Sequence, residues 1–287
     1  MTDAGFESRG FVTMFDKLQQ AARLNDNGNF PYLRTHPMNT ERIADAQARQ
    51  QLAERKPARS EPDLAHAMMI GRARVLSNPG VDALRSYLTE ADAAAAADNR
   101  GRQASAFYAA ALASAKLRDA NGATRYAGKL SALTTGDAAA ARLARLLAAE
   151  LALQNGEPAK AAALGEGTSP ARPEVILSAQ ARNASGRAAD TAQRLQTWVA
   201  LHPRDAQAWQ LLSAAYAAQG QGLRAIRADA EAQVAHLDYQ AALDRFKAAQ
   251  ELARKAPAGS ADHIEASIID TRARQVELLL REQAVER

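Results

Sequence analysis

The side chains able to do chemistry are few and far apart in this chain. Its five histidines are His36, His66, His202, His236 and His263, and none is followed by Glu. A zinc hydrolase of the HExxH kind needs two His on one helix face to hold the metal and a Glu between them as general base. That arrangement is absent from the sequence. With no cysteine there is neither a disulfide framework nor a thiolate metal site. No Ser/His/Asp arrangement, phosphate-binding loop or dinucleotide fingerprint occurs. His36 is the most distinctive of the histidines. It lies in Thr35-His36-Pro37, where a lone imidazole before proline ordinarily fixes a turn.

Binding chemistry is better represented. Arg224, Arg227 and Arg245 fall on strongly helical segments, where they could line a concave surface for acidic peptide groups or form a solvated face. Trp198 and Trp209 could stack on a ligand, but their spacing suits packing. His202-Pro203 reads as the close of a repeat.

The elements that would position these residues are organised around 203–252. With Ala206 as position 1 of a frame of about 34 residues, large and small side chains fall into the tetratricopeptide pattern. Trp209, Leu212 and Tyr216 recur at three to four residues and make the apolar stripe of a first helix. Ser213 and Ala225 are small, which allows two helix backbones to approach, and Ala232 continues the second helix. Gly220 stands where a helix must end in a left-handed turn. The pattern departs at Asp229 and at Leu237, where an apolar residue and proline are usual. A second frame starts half a repeat later. Leu237, Asp238 and Tyr239 form its turn, and Ala242, Phe246 and Ala249 follow. The segment at about 222–236 is therefore expected to pack as second helix of one pair and first helix of the next, as a continuous solenoid requires.

Hydrophobic residues make up 47% and aromatics 5% of the sequence, which favours close-packed helices over bulky cores. No sustained Val/Ile/Thr alternation reads as a strand, so the class is all-α. Helices are predicted at 62–77, 81–97, 102–119, 121–134, 137–155, 157–165, 172–185, 187–202, 205–219, 222–236, 239–255 and 261–284. Asn78-Pro79-Gly80, Asn121-Gly122, Gly136-Asp137 and Asn155-Gly156 mark turns. Gly186 and Gly220 are 34 residues apart, which extends a degenerate repeat into the middle of the chain. Irregularity is expected at 164–171. Before this array, residues 1–24 hold a helix with Phe11, Met14, Phe15 and Leu18 on one face. A Gly/Asn loop at 25–29 and a helix capped by Asn39 or Thr40 follow. Residues 54–62, with two prolines and charges of both signs, read as a linker.

The formal net charge is +4. No run of five or more basic residues and no interleaved aromatics accompany it, so it reads as solvated helix faces rather than a nucleic-acid footprint. No stretch approaches the ~20 apolar residues of a membrane span, and the N-terminus lacks a signal peptide's basic and apolar regions.

Two stretches resemble one family. AGFESRGFVTMFDKLQQAARLNDNGNFPYLRTHPMNTERIADAQAR is similar to the last part of the catalytic domain in BepA/YfgC-type bacterial zinc metalloproteases. LHPRDAQAWQLLSAAYAAQGQGLRAIRADAEAQ resembles their C-terminal tetratricopeptide region. The resemblance implies that 1–53 is the helical remnant of a metalloprotease domain and that 63–287 is a helical repeat domain. It also implies that HExxH and a later Glu ligand precede the Ala4-Gly5-Phe6 segment, and so would lie upstream of Met1. Zinc is then the cofactor of the full-length family and not of this chain, with His36 a possible auxiliary cap at the cleft edge. The implied role is a binding module for unfolded or assembling outer-membrane β-barrel proteins and their assembly machinery, in the periplasm. The alternatives are a full-length product that is an active zinc metalloendopeptidase in envelope quality control, and an independent cytoplasmic scaffold if the short chain is the real product.

Overall fold

A computed structural model describes residues 9–22, 39–52, 63–77, 79–96, 98–165, 171–255 and 263–285. These form fourteen helices and, among the described residues, no strand. The chain divides into two compact units, Met1–Pro62 and Asp63–Arg287. His36, the loop at 25–29 and the linker at 54–62 lie outside the described residues.

The first unit contains α1 (Arg9–Ala22) and α2 (Asn39–Leu52), which pack on each other. The Arg42 guanidinium sits 5.6 Å from the centre of the Phe15 ring. Met14 and Leu18, on the apolar face predicted for this segment, are 43% and 47% exposed.

The second unit runs through α3 (Leu64–Leu76), α4 (Val81–Ala94), α5 (Arg100–Lys116), α6 (Ala120–Leu133), α7 (Ala138–Gln154) and α8 (Pro158–Gly165). It continues through α9 (Arg172–Ala184), α10 (Ala188–Leu201), α11 (Ala206–Ala218), α12 (Gly222–Ala235), α13 (Tyr239–Lys255) and α14 (His263–Val285). All twelve coincide with the predicted helices to within three residues at each end. The largest differences include α4, which stops at Ala94 instead of running to 97. Helix propensity alone would carry the alanine run further, but the chain must reverse before Asn99, whose side chain caps the next helix.

Local chemistry explains these boundaries. Six helices start on an Asp or Asn whose side chain accepts a backbone N–H from the first turn. The caps are Asp63, Asn99, Asp119, Asp137, Asp205 and Asp238, each satisfying a donor that the helix itself leaves unpaired. The ends repeat as well. At Arg118, Gly156, Gly186, Gly220 and Leu237 the backbone turns left-handed, and the next N–H reaches five residues back, as in Asp119 to Ser114, Gln221 to Tyr216 and Asp238 to Gln233. This is the Schellman closure. Gly220 meets its expectation with φ +72°. Leu237 takes the same turn at φ +63°, a conformation that costs a β-carbon-bearing residue about 1 kcal/mol.

Packing within this unit is uneven. α5 lies against α3, α4, α6 and α7 and is buried nearly all round, from Ala104 to Ser114. A β-carbon at Gly71 of α3 would collide with the Ser105 carbonyl of α5, so glycine there sets how closely these two helices approach. Further along, one apolar cluster joins α9 to α12 and another joins α12 to α14. α12 turns Ala225 and Ala228 to the first and Leu223 and Ala230 to the second. It packs on α11 and on α13, as the half-repeat offset predicts. The unit is an all-α, solenoid-like stack. Between its two halves, α8 contributes only Ala161 and Ala162 to a small apolar patch, completed by Ala152 and Leu153 of α7 and Ala181 of α9.

Candidate protein-binding surface

The residues singled out by the repeat pattern hold the second half of the stack together. Leu212, Tyr216, Ala225, Ala232, Ala242, Phe246 and Ala249 are buried, while Trp209 and Tyr239 are partly so. Trp209 donates its indole N–H to the Pro203 carbonyl at 3.0 Å. Ser213 does more than make room, because its Oγ donates across the helix pair to the Ala225 carbonyl at 2.8 Å. Trp198 lies 4.0 Å, ring centre to ring centre, from His202 and donates to Asp205 at 3.0 Å.

The three arginines expected to face acidic ligands each meet a carboxylate of the protein. Arg227 on α12 pairs with Glu265 on α14, and Arg224 approaches the same carboxylate at 3.8 Å. Arg245 on α13 pairs with Asp229 on α12. One turn beyond Arg227, Glu231 receives both arms of Arg272 at 2.6 and 2.7 Å. α12 and α14 run parallel, so the Arg227–Glu265 and Glu231–Arg272 pairs form two successive rungs between them. A ligand carboxylate reaching Arg227 would compete with Glu265. Arg224 is the more available of these two, with its side chain half exposed and its guanidinium 5.9 Å from the Tyr216 ring centre.

Similar rungs run back along the stack. Arg172 of α9 grips Asp205 with two bonds of 2.8 Å. Arg142 of α7 grips the buried Glu174 of α9 at 2.5 and 2.7 Å. Arg72 of α3 reaches Glu150 of α7 at 2.7 Å and the Tyr108 hydroxyl at 3.0 Å. Bidentate arginine–carboxylate pairing combines charge with fixed geometry. Burial pushes the Tyr108 hydroxyl up and outweighs the neighbouring Arg72. Burial also acts to raise the Asp205 carboxyl. The bonds from Arg172, Trp198 and the Ala208 N–H overcome it and leave the group below its ordinary 3.8.

Sequence reasoning missed these carboxylates. Asp205 carried one usable signal, its place just before a helix. Glu174, Glu231 and Glu265 carried none, because their partners stand 32 to 41 residues away. Among the described residues no group of three or more His, Asp or Glu is placed to hold a metal ion, and no helix is long and apolar enough to cross a membrane. The HExxH zinc motif is absent from the sequence, in which no His is followed by Glu. Comparison with known proteins finds no family model that matches the chain and no curated protein that resembles it.

Proposed function

We propose that this chain is a protein-binding helical-repeat module of a BepA-like metalloprotease. In this reading the stack holds unfolded or assembling outer-membrane β-barrel proteins and their assembly partners in the periplasm. The observation that carries it is the double packing of α12, on α11 with one face and on α13 with the other. A helix shared in this way joins successive pairs into one stack, and such stacks offer an extended surface without needing chemistry of their own. The arginine rungs stiffen that surface, and Arg224 is the cation best placed to meet an acidic group. The metalloprotease parentage rests on the resemblance of 1–50 and 195–252. Zinc and the general base belong to residues that this sequence does not contain.

The test is to dilute a urea-unfolded outer-membrane β-barrel protein into buffer with and without the full chain. Binding should be saturable with a Kd of about micromolar order, and aggregation should be suppressed near equimolar ratio. Unchanged aggregation and no saturable binding would overturn the proposal. A second reading, in which the parent product is itself an active zinc metalloendopeptidase, is favoured by the same N-terminal resemblance. It predicts an envelope-associated band well above 30.6 kDa in fractionated source cells, whereas a cytoplasmic band at that mass would contradict it and point to an independent scaffold.

A further inference from the structure

α14, the last described helix of the stack, is buried along one side only, at Glu265, Ile269, Ala273 and Val276. Its opposite side carries Ile264, Ile268 and Leu278, which are 63%, 39% and 57% exposed. A helix face of a stack that meets solvent is ordinarily polar. We infer that this face pairs with the same face of a second copy, α14 against α14 about a two-fold axis at Thr271.

Three observations select a second copy as the occupant. First, two of these apolar residues are placed symmetrically about Thr271: Ile264 is seven residues before it and Leu278 seven after, while Ile268 mirrors Arg274. In an antiparallel pair Ile264 of each copy therefore meets Leu278 of the other, twice over, which is the isologous arrangement of a two-fold interface. Second, the exposed charges match. Arg274 of one copy falls two residues, about 3 Å along the axis, from the level of Asp270 in the other, and both are exposed. Third, direction agrees. α14 runs antiparallel to α13, with Gln250 bonded to Asp270 at 2.7 Å and Gln283 to the Leu237 carbonyl at 3.2 Å. An antiparallel copy of α14 continues that alternation as the next helix would. A seam of one helix about 35 Å long falls below the usual ~1,600 Å² of a stable interface, so the dimer is a reversible one.

The chain has no cysteine, which makes a direct test available. Thr271→Cys in the full chain should oxidise readily to a disulfide-linked dimer, because the two residues meet on the axis. Thr124→Cys, exposed on α6, should not. Sedimentation of the unmodified chain from about 1 to about 500 µM should show the mass rising from 30.6 kDa towards twice that value. Ile264→Glu with Leu278→Glu should weaken association by about tenfold or more, with unchanged helical circular dichroism. Asp270→Arg alone should also weaken it, and adding Arg274→Asp should restore it. A monomer throughout, equal cross-linking at 124 and 271, or a double charge swap no better than the single would each overturn the inference.

Discussion

Two junctions in the second unit are made in different ways. At α12 the helix offers small residues to large ones: Ala225 and Ala228 lie in a cluster with Leu212 and Tyr216, and Ala230 lies in one with Leu243 and Phe246. At α8 small residues meet small residues, Ala161 and Ala162 against Ala152 and Ala181. Each buried methylene contributes about 0.8 kcal/mol, so a patch of alanines with one partly buried leucine, Leu153, stabilises far less than one receiving buried leucine and phenylalanine. Polar contacts differ correspondingly. α12 carries two rungs to α14 besides its apolar faces, whereas the α8 junction is bridged by Arg142–Glu174, which ties α7 directly to α9. A stack of helices is thus only as continuous as its individual contacts, and this one is tight at α12 and thin at α8.

The contrast can be broken first at its strong side. Phe246→Ala empties a fully buried site and should cost about 3–5 kcal/mol. In thermal unfolding the loss should fall on α12–α14 and leave α3–α7 nearly unchanged, because their apolar clusters are separate. At the thin side, Glu174→Gln removes a buried charge from its partner. Arg142 is one-third exposed, which screens the loss, so about 1–2 kcal/mol is expected. Chemical denaturation should then develop an intermediate in which the halves flanking α8 unfold separately. A single unchanged transition would show that the pair does not couple them.

Acid offers a third probe, at the α9–α11 contact beyond α8. The Asp205 carboxyl lies below its ordinary 3.8 in the folded protein, so its contribution is fully present above that value. It is lost as pH falls through and below it, when the unfolded chain takes up the proton more readily. Stability measured from pH 6 to pH 3 should fall less steeply in Asp205→Asn than in the unaltered chain. The smallest expected effect is favourable. Leu237→Gly relieves a left-handed leucine and should stabilise the α12–α13 turn by about 0.5–1 kcal/mol, read as a rise in Tm.

Much of this fold was legible because it is local. Gly220 and the Asp at helix starts act within one turn, and Trp209, Leu212 and Tyr216 repeat with the helix itself. The offset frame at Leu237-Asp238-Tyr239 was enough to assign α12 its two roles. The site was less legible, since the partner of Arg224 and Arg227 is set by which helices lie two places apart in the stack, and that of Arg245 by how α13 faces α12. Nothing in the spacing from Arg227 to Glu265 marks them as neighbours before the helices are packed. The end of α4 shows the opposite failing, with a strong local preference in the alanine run overruled by the need to turn. His36 and the linker at 54–62 fall outside the described residues.

Hydrogen exchange across the full chain, followed by mass spectrometry near neutral pH, tests most directly whether α12 joins its neighbours while α8 divides the stack. Amides of α11, α12 and α13 should open together as one slowly exchanging unit, with those of α8 exchanging well before them and before α5. Protection of α8 equal to that of α11–α13 would contradict the division at α8, and a break in protection between α11 and α12 would contradict the continuous repeat on which the proposed binding surface depends.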